Sequence, residues 1–370
     1  MIRIIHSADW QLGKPFGRFE VDVRASLTEA RFEAIDAIGR AATEHGARHV
    51  LVAGDVFDTE GPEDRTIIQA VSRMERHPCR WWLLPGNHDY ARNRGLWERV
   101  RAKHGSNIQV LDEPVPQEIE GGVWLLPAPL THRHTLEDPT EIFDVVSTPG
   151  SDLRIGIAHG SIREFGSQGD TQNQIAPDRV QRSGLDYLAL GDWHGMLSAG
   201  PRTWYSGTPE TDRFQRDEPG HALLIELEPG REPVLTALRT GKFQWLSREW
   251  RVNDFTAFEA ERDQLLAAVD PAATLLQLTL VGITSLTDRV AMLGSLEGDL
   301  THRLRHLAFR ADDLVARPSE EDLAMFTAEG MLGAAAAKLH TKAEAGGAEG
   351  LVAQRALERL FVEHAKGEAA

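Results

Sequence analysis

Five apolar runs in this chain each stop on a residue able to hold a metal ion or move a proton. That recurrence constrains the fold more than any other feature. "RIIHSAD" ends on Asp9, "HVLVAGD" on Asp55, and "WWLLPGNHD" on Asn87, His88 and Asp89. "LRIGIAH" ends on His159, and "LALGDWH" on Asp192 and His194. Runs of this length, bounded by Gly, Asn and Asp, read as buried strands. Between them lie amphipathic stretches. Leu27, Ala30, Ala34, Ile38 and Ala41 recur at helical spacing, and so do Ile67, Val71 and Met74. Strands alternating with helices imply a layered α/β domain. In such a domain the carboxyl ends of the strands line one edge, where sites form. A single Gly-Asp is ordinarily a turn with a side-chain hydrogen bond, and a single strand-end His ordinarily a satisfied core residue. Five such ends together point to a metal site.

The donor types narrow the chemistry. Carboxylates, an amide and imidazoles suit hard or borderline divalent ions. A carboxylate can bridge two ions, and a two-metal site clamps phosphate oxygens and activates water near neutral pH. The chain has no G-x-S-x-G elbow, no H-E-x-x-H and no G-x-x-x-x-G-K-[ST] loop, so these other hydrolytic and phosphate-binding routes are not supported. The block "HSADWQLG", His6 to Gly13, carries Gln11 two residues after Asp9. A Gln there can coordinate through its carbonyl oxygen, or stand behind a water that fills the place.

Beyond the fifth run, "HALLIELE", "PVLTALRT" and "FQWLSREWRV" read as consecutive strands of an antiparallel region in the same domain, which sets a first domain at 1–252. "TLLQLTLVG", a helical stretch with Leu286, Val290, Leu293, Leu300 and Leu304, and "HLAFRADDLV" form a small α/β unit at 253–317. Residues 318–370 turn Ala/Glu-rich, with two helical stretches split by "AEAGGAEG". The loop "GSIREFGSQGDTQNQ", Gly160 to Gln174, follows His159 directly and reads either as a mobile loop near substrate or as an ordinary surface loop.

Net charge is −16, which argues against a chain coated in DNA-binding lysines. A local basic strip remains possible: Arg92, Arg94, Arg99, Arg101 and Lys103 fall in "YARNRGLWERVRAKHG". Its ordinary alternative is a solvated helix face. Cys79 is the one cysteine, so no internal disulfide and no cysteine-based zinc site can form. No apolar run reaches membrane-spanning length, and the N-terminus has no signal-peptide pattern, so a cytoplasmic protein with no membrane association is expected.

The blocks "GDVFD", "GNHD" and "GDWH", in this order, resemble the signature of the calcineurin-like metallophosphoesterase superfamily. Within it, "HSADWQLG", "GDVFDTEGP" and "YSGTPE" are similar to blocks of the SbcD-type nucleases. The resemblance spans residues 1 to about 215. It implies an α/β fold: a layered metallophosphoesterase β-sandwich flanked by helices, a small α/β capping domain (253–317) and a helical C-terminal partner-binding tail (318–370). It also implies a DNA exonuclease or endonuclease in repair or defence, a homodimer, and an SbcC-like coiled-coil ABC ATPase as partner. Asp55 would bridge two divalent ions, manganese or alternatively magnesium. Asp9 and His194, with Gln11, would hold one ion. Asn87 and His159, with Asp192, would hold the other. His88 would act on the leaving oxygen and Asp89 would orient it, while Arg92, Arg94 and Arg99 would contact DNA. The family usually has His at positions 11 and 192, so Gln11 and Asp192 are departures that shift the donor set toward harder ions. They also leave the ion beside Gln11 as the weaker one. The alternatives are a phosphodiesterase or phosphatase acting on a small nucleotide or phosphoprotein, and a weakly active scaffold subunit.

Overall fold

The strands between residues 2 and 239 form two six-stranded sheets and one short two-stranded pair. The structure, a computed structural model, describes residues 1–150, 152–163, 172–214, 219–317, 322 and 330–368. It divides into two compact units, Met1–Phe243 and Gln244–Ala370.

In the first unit, β1 (Ile2–Ser7), β2 (His49–Ala53), β3 (Arg80–Leu84) and β4 (Ile108–Val110) run parallel, in that order. The helices between them, α1 (Val21–Glu44), α2 (Asp64–Met74) and α3 (Leu96–Arg101), supply the crossovers that parallel strands require. The second sheet comprises β5 (Gln117–Glu120), β6 (Val123–Ala128), β7 (Leu153–His159), β10 (Tyr187–Gly191), β11 (Leu197–Gly200) and β12 (Thr203–Tyr205). β6, β7, β10 and β12 are its parallel members. Short β8 (Ser161–Ile162) and β9 (Gln174–Ile175) pair with each other. Two further strands close the first sheet: β13 (His221–Leu227) lies antiparallel to β1, and β14 (Val234–Arg239) antiparallel to β13.

The alternation within the strands explains the layering. Ile4, Leu51, Trp82 and Leu84 from one sheet pack with Leu125, Ile155, Ile157 and Tyr187 from the other, all buried. The opposite face of the first sheet meets Phe32, Ile35 and Ile38 of α1 and Ile67, Val71 and Met74 of α2. The opposite face of the second sheet covers Phe143 and Val180. Strands buried on both faces read as continuous apolar runs, which is why five of them stand out in the sequence. The architecture is the expected helix-flanked β-sandwich.

The second unit is a parallel three-stranded sheet, β15 (Gln244–Arg251), β16 (Thr274–Thr284) and β17 (His306–Ala316). α5 (Phe255–Ala268) is capped by Asp254, whose carboxylate accepts from Ala257 N at 2.7 Å. α6 (Leu286–Ser295) is capped by Ser285 in the same way. Trp250, Phe258, Leu278, Met292 and Leu300 fill the core between helices and sheet. β15 corrects the sequence reading. "FQWLSREWRV" is not a third antiparallel strand of the first unit but the parallel partner of β16, so the first unit ends at Phe243 rather than at residue 252. The two C-terminal helices, Met331–Glu344 and Gly347–Glu368, bury Ala336, Leu357 and Phe361 against Leu286 and Ala316 of the same unit. Their Met331, Leu332, Leu351 and Val352 are exposed. Residues 318–321, 323–329 and 369–370 of the expected tail lie outside the described residues. No described helix is long and apolar enough to cross a membrane.

Candidate metal centre

The five strand ends converge, three from one sheet and two from the other. β1, β2 and β3 deliver Asp9, Asp55 and Asn87, and β7 and β10 deliver His159 and Asp192. Ligand atoms of Asp9, Asp55 and His159 lie within 4.8 Å of one another, and all three residues are buried. Asp192 joins them. Its Oδ1 is 3.8 Å from His159 Nε2, and its backbone N–H donates to both oxygens of Asp9, at 3.2 and 3.1 Å. Asp55 Oδ1 is 3.5 Å from His159 Nε2 and accepts from His88 N at 2.9 Å.

The backbone is strained where these side chains leave it. Asp9 (φ 55°), Gln11 (42°), Asp55 (53°) and Asp192 (108°) all have positive φ. Non-glycine residues are held there only when the surroundings impose it, at about 1–3 kcal/mol each. The surroundings here are cross-loop hydrogen bonds: Asp9 N to Gly54 O at 3.1 Å, Gln11 N to Asp55 O at 2.8 Å, and Thr208 Oγ1 to Asp9 O at 2.9 Å. Thr208 belongs to the "YSGTPE" block, so that block supports the centre from behind. Gly54 (φ +90°) makes room for His159: a Cβ at residue 54 would collide with the imidazole ring. Gly54→Ala is therefore expected to tilt His159 and weaken metal binding by about 10–100-fold, the range for disturbed ligand support. A Mn²⁺ titration by calorimetry checks this, and an affinity within threefold of wild type contradicts it.

Electrostatics favour a cation at this place. Burial, assisted by the Asp55 and Asp192 charges, raises the Asp9 carboxyl to about 6. Burial on its own lowers a histidine, yet the carboxylates of Asp55, Asp9 and Asp192 outweigh it and raise His159 to about 9. His159 Nδ1 is 2.9 Å from the Ala53 carbonyl, which fixes Nδ1 as the donor and turns Nε2 inward. His159 Nε2 and Asn87 Oδ1 are buried without a hydrogen-bond partner among the described residues. Buried polar atoms are normally satisfied, and a ring nitrogen without a hydrogen bond beside the carboxylates of Asp55 and Asp192 fits a divalent ion.

His88 stands at the rim, its side chain 31% exposed, with Nδ1 2.8 Å from Asp58 O and Nε2 3.9 Å from Asp55 Oδ2. The expected role of Asp89 needs correction. Among the described residues its carboxylate makes no hydrogen bond with the His88 side chain; it accepts from Gly86 N (2.7 Å) and Phe57 N (3.0 Å), tying the "GNHD" loop to the "GDVFD" loop. Burial and the neighbouring Asp55 raise its carboxyl to about 7. The Asp58 carbonyl is what orients His88.

Gln11 is engaged by protein groups on both ends of its amide. Its Oε1 accepts from Lys14 Nζ at 2.9 Å, and its amide nitrogen is 3.2 Å from His194 Nε2. Lys14 Nζ is 2.5 Å from Asp212 Oδ2, and His194 Nδ1 is 3.2 Å from the same oxygen. The buried Arg31 is 3.3 Å from Asp212. Burial would raise the Asp212 carboxyl, but the hydrogen bond with His194 and the charges of Arg31, His194 and Lys14 outweigh it and hold the carboxyl far below its ordinary range. Lys14, Arg31 and Asp212 escape a reading of the sequence. Lys14 lies one residue beyond the "HSADWQLG" block and Asp212 two beyond "YSGTPE", but nothing in either block says that the two side chains meet.

The basic strip is largely paired with acids. Arg92 meets Glu60 at 3.2 Å, Arg99 meets Asp64 at 2.6 Å, and Arg101 meets Asp112. The Arg94 backbone N–H donates to Glu98. Of the Gly160–Gln174 loop, residues 164–171 lie outside the described residues. Its ends are pinned, with Ser161 Oγ donating to Asp192 Oδ2 at 2.6 Å and Thr135 N donating to Asn173 Oδ1.

Carboxylates, an amide and an imidazole gathered at the carboxyl ends of strands from two facing sheets, with a histidine at the rim, define a metal-dependent hydrolase centre suited to phosphoesters. The comparison with known families agrees. The calcineurin-like phosphoesterase profile matches residues 2–218, and the chain belongs to that family. Its members bind divalent metal ions. The chain is also 35% identical over 92 residues to the SbcD subunit of the SbcCD nuclease of Escherichia coli, in strains K12 and O157:H7. Those matches cover 24% of this chain and 21% of the relatives, so the alignment spans about a fifth of the length of those proteins. The crystal structure of TT1561 of Thermus thermophilus superposes with a TM-score of 0.42 at 10% identity, over 65% of this chain and 99% of that one.

Proposed function

We propose that this phosphoesterase is a DNA nuclease of the SbcD type, cutting phosphodiester bonds with divalent metal ions, manganese foremost and magnesium second. The observation that carries the hydrolytic reading is the buried cluster of Asp9, Asp55 and His159, with ligand atoms within 4.8 Å of one another and His159 Nε2 lacking a hydrogen-bond partner among the described residues. The resemblance to the SbcD subunit of the SbcCD nuclease directs it toward DNA. In this reading Asp55, Asn87, His159 and Asp192 hold one ion, and Asp9 and His194 border a second position. Divalent ions held by these residues would supply Lewis-acid polarisation of a phosphate and a water acidic enough to ionise near neutral pH. The chain's own residues do the rest. Asp55 orients the centre through its bond from His88 N, and Asp89 locks the two loops together. His88, held at Nδ1 by the Asp58 carbonyl, presents Nε2 to the leaving oxygen and stabilises or protonates it there. Partners in this reading are an SbcC-like coiled-coil ATPase, docking on the C-terminal helices, and a second copy of the chain. The second unit corresponds to the capping domain that the resemblance implies.

The pairing of Arg92 and Arg99 with acids, together with a net charge of −16, favours a second reading in which the substrate is a smaller phosphodiester. One assay separates the two. Labelled linear duplex DNA and bis(p-nitrophenyl) phosphate are offered in Mn²⁺ to wild type and to His88→Ala. Cleavage of both by wild type, with a loss of about 10²–10⁴-fold on DNA in His88→Ala, is expected. Turnover of the small diester without DNA cleavage selects the second reading. DNA cleavage that is equal in wild type and His88→Ala removes His88 from the mechanism.

A further inference from the structure

The two ion positions differ in what their donor atoms face. On the Asn87–His159 side, Asn87 Oδ1 is buried with no hydrogen-bond partner among the described residues, and His159 Nε2 faces the carboxylates of Asp55 and Asp192 at 3.5 and 3.8 Å, the groups that would share an ion with it. On the Gln11–His194 side, the corresponding lone pairs are in use. An ammonium only donates, so the Gln11 atom facing Lys14 must be the oxygen. That leaves the Gln11 NH₂ facing His194 Nε2, which accepts while Nδ1–H donates to Asp212. Asp212 is buried and gathers Lys14, Arg31 and His194 around one carboxylate, so the network is anchored in the core.

We propose that Lys14 is a latch on this centre: by holding Gln11 Oε1, it keeps Gln11 across His194 Nε2 and makes the Asp9–His194 position the weak, late-filling ion site. The inference rests on the metal-centre reading above and adds a residue that sets its occupancy. A second ion must displace the Gln11 amide from His194. It must also share the neighbourhood with a fixed ammonium whose anchor, Asp212, is itself buried. Unlike charges at close range in a poorly screened site attract strongly, and like charges repel by the same rule. Lys14 therefore opposes an incoming cation both by geometry and by charge. The centre passes through a one-ion state over a wide range of metal concentration, with Asp55 then serving that ion alone.

The test is Mn²⁺ binding to the full chain, read by calorimetry and by electron paramagnetic resonance, where one isolated ion and a coupled pair give different spectra. Wild type is expected to bind one ion with an uncoupled spectrum, and a second at least 100-fold more weakly. Lys14→Met removes the ammonium while Asp212 keeps Arg31 and His194, so the fold has a reason to survive. It is expected to close that gap by tenfold or more and to produce the coupled spectrum at lower metal concentration. Lys14→Arg keeps a cation in place and is expected to keep the gap. Two equally tight ions in wild type, or an unchanged gap in a folded Lys14→Met, overturns the latch. Failure of wild type to bind any Mn²⁺ instead overturns the metal-centre reading, so the two failures are told apart.

Discussion

Asp55→Asn is expected to abolish phosphodiester hydrolysis, with a fall of about a thousandfold or more, while leaving the fold intact. Asp55 is the residue on which the centre turns. It lies 3.5 Å from His159 Nε2, accepts from the His88 backbone, and belongs to the three-residue cluster of potential ligands. The amide keeps one oxygen to accept the His88 N–H, so the loop geometry has a reason to persist. What disappears is a negative charge that, in the proposed centre, would hold the cation. Charge stabilisation by a bound metal is worth several kcal/mol in the transition state, and each 1.4 kcal/mol or so is tenfold in rate. Hydrolysis of bis(p-nitrophenyl) phosphate at saturating Mn²⁺, with the circular dichroism spectrum as the fold control, measures the effect. A rate within tenfold of wild type, from a folded variant, would show that Asp55 is peripheral.

A second large effect concerns stability. Metal-free protein is expected to lose stability as pH rises from about 7 to 9, and saturating Mn²⁺ to remove that dependence. His159 is raised from 6.5 to about 9 in the folded chain. A group raised in this way contributes stability that is fully present below the unfolded pKa and lost as pH climbs through the folded one. Across the whole window the change is on the order of 3 kcal/mol, or roughly 5–10 °C in melting temperature for a unit of this size. Asp89 and Glu210, both raised to about 7, have the same sign, but their windows close near 7. His6, lowered to about 3 by burial, has the opposite sign and acts only below 6.5. Cys79, raised to about 11, acts above 9. The interval from 7 to 9 therefore belongs to His159. An ion on Nε2 replaces the proton there, which is why metal flattens the curve. Thermal melts at several pH values, with and without Mn²⁺ and with His159→Gln as the control, decide the matter. A slope that survives in metal-free His159→Gln would assign the effect to another group.

What can be read from the sequence follows a physical division. Strand cores announce themselves because both faces are buried, so "HVLVAGD" and "LRIGIAH" are uninterrupted apolar runs and their terminal residues stand out. The class of centre follows from those ends. Pairing does not, because a strand's partner is written elsewhere in the chain. β15 has the apolar content of a strand in either unit, and only β16, with which it shares eight registered residues from Gln244 to Arg251, decides where it belongs. The Gln11 network is hidden for the same reason. Its anchor, Asp212, lies 198 positions from Lys14. Sequence adjacency assigns Asp89 to His88, whereas its oxygens face two backbone N–H groups that the folded loops bring over it.

The sheet closure carries a consequence for how the chain can be divided. The family profile ends at residue 218, yet β1, which leads into Asp9, has β13 at 221–227 along its outer edge. A chain cut at the profile's limit would bare the N–H and C=O groups of Ile2 through His6, an open template for another strand. Glu210 makes the same point from inside. Its buried carboxylate accepts from the backbones of Lys242 and Phe243, two dozen residues past that limit. The smallest piece of this protein that can present its catalytic edge without becoming adhesive thus reaches Phe243, and the family boundary marks shared ancestry rather than a self-sufficient fold.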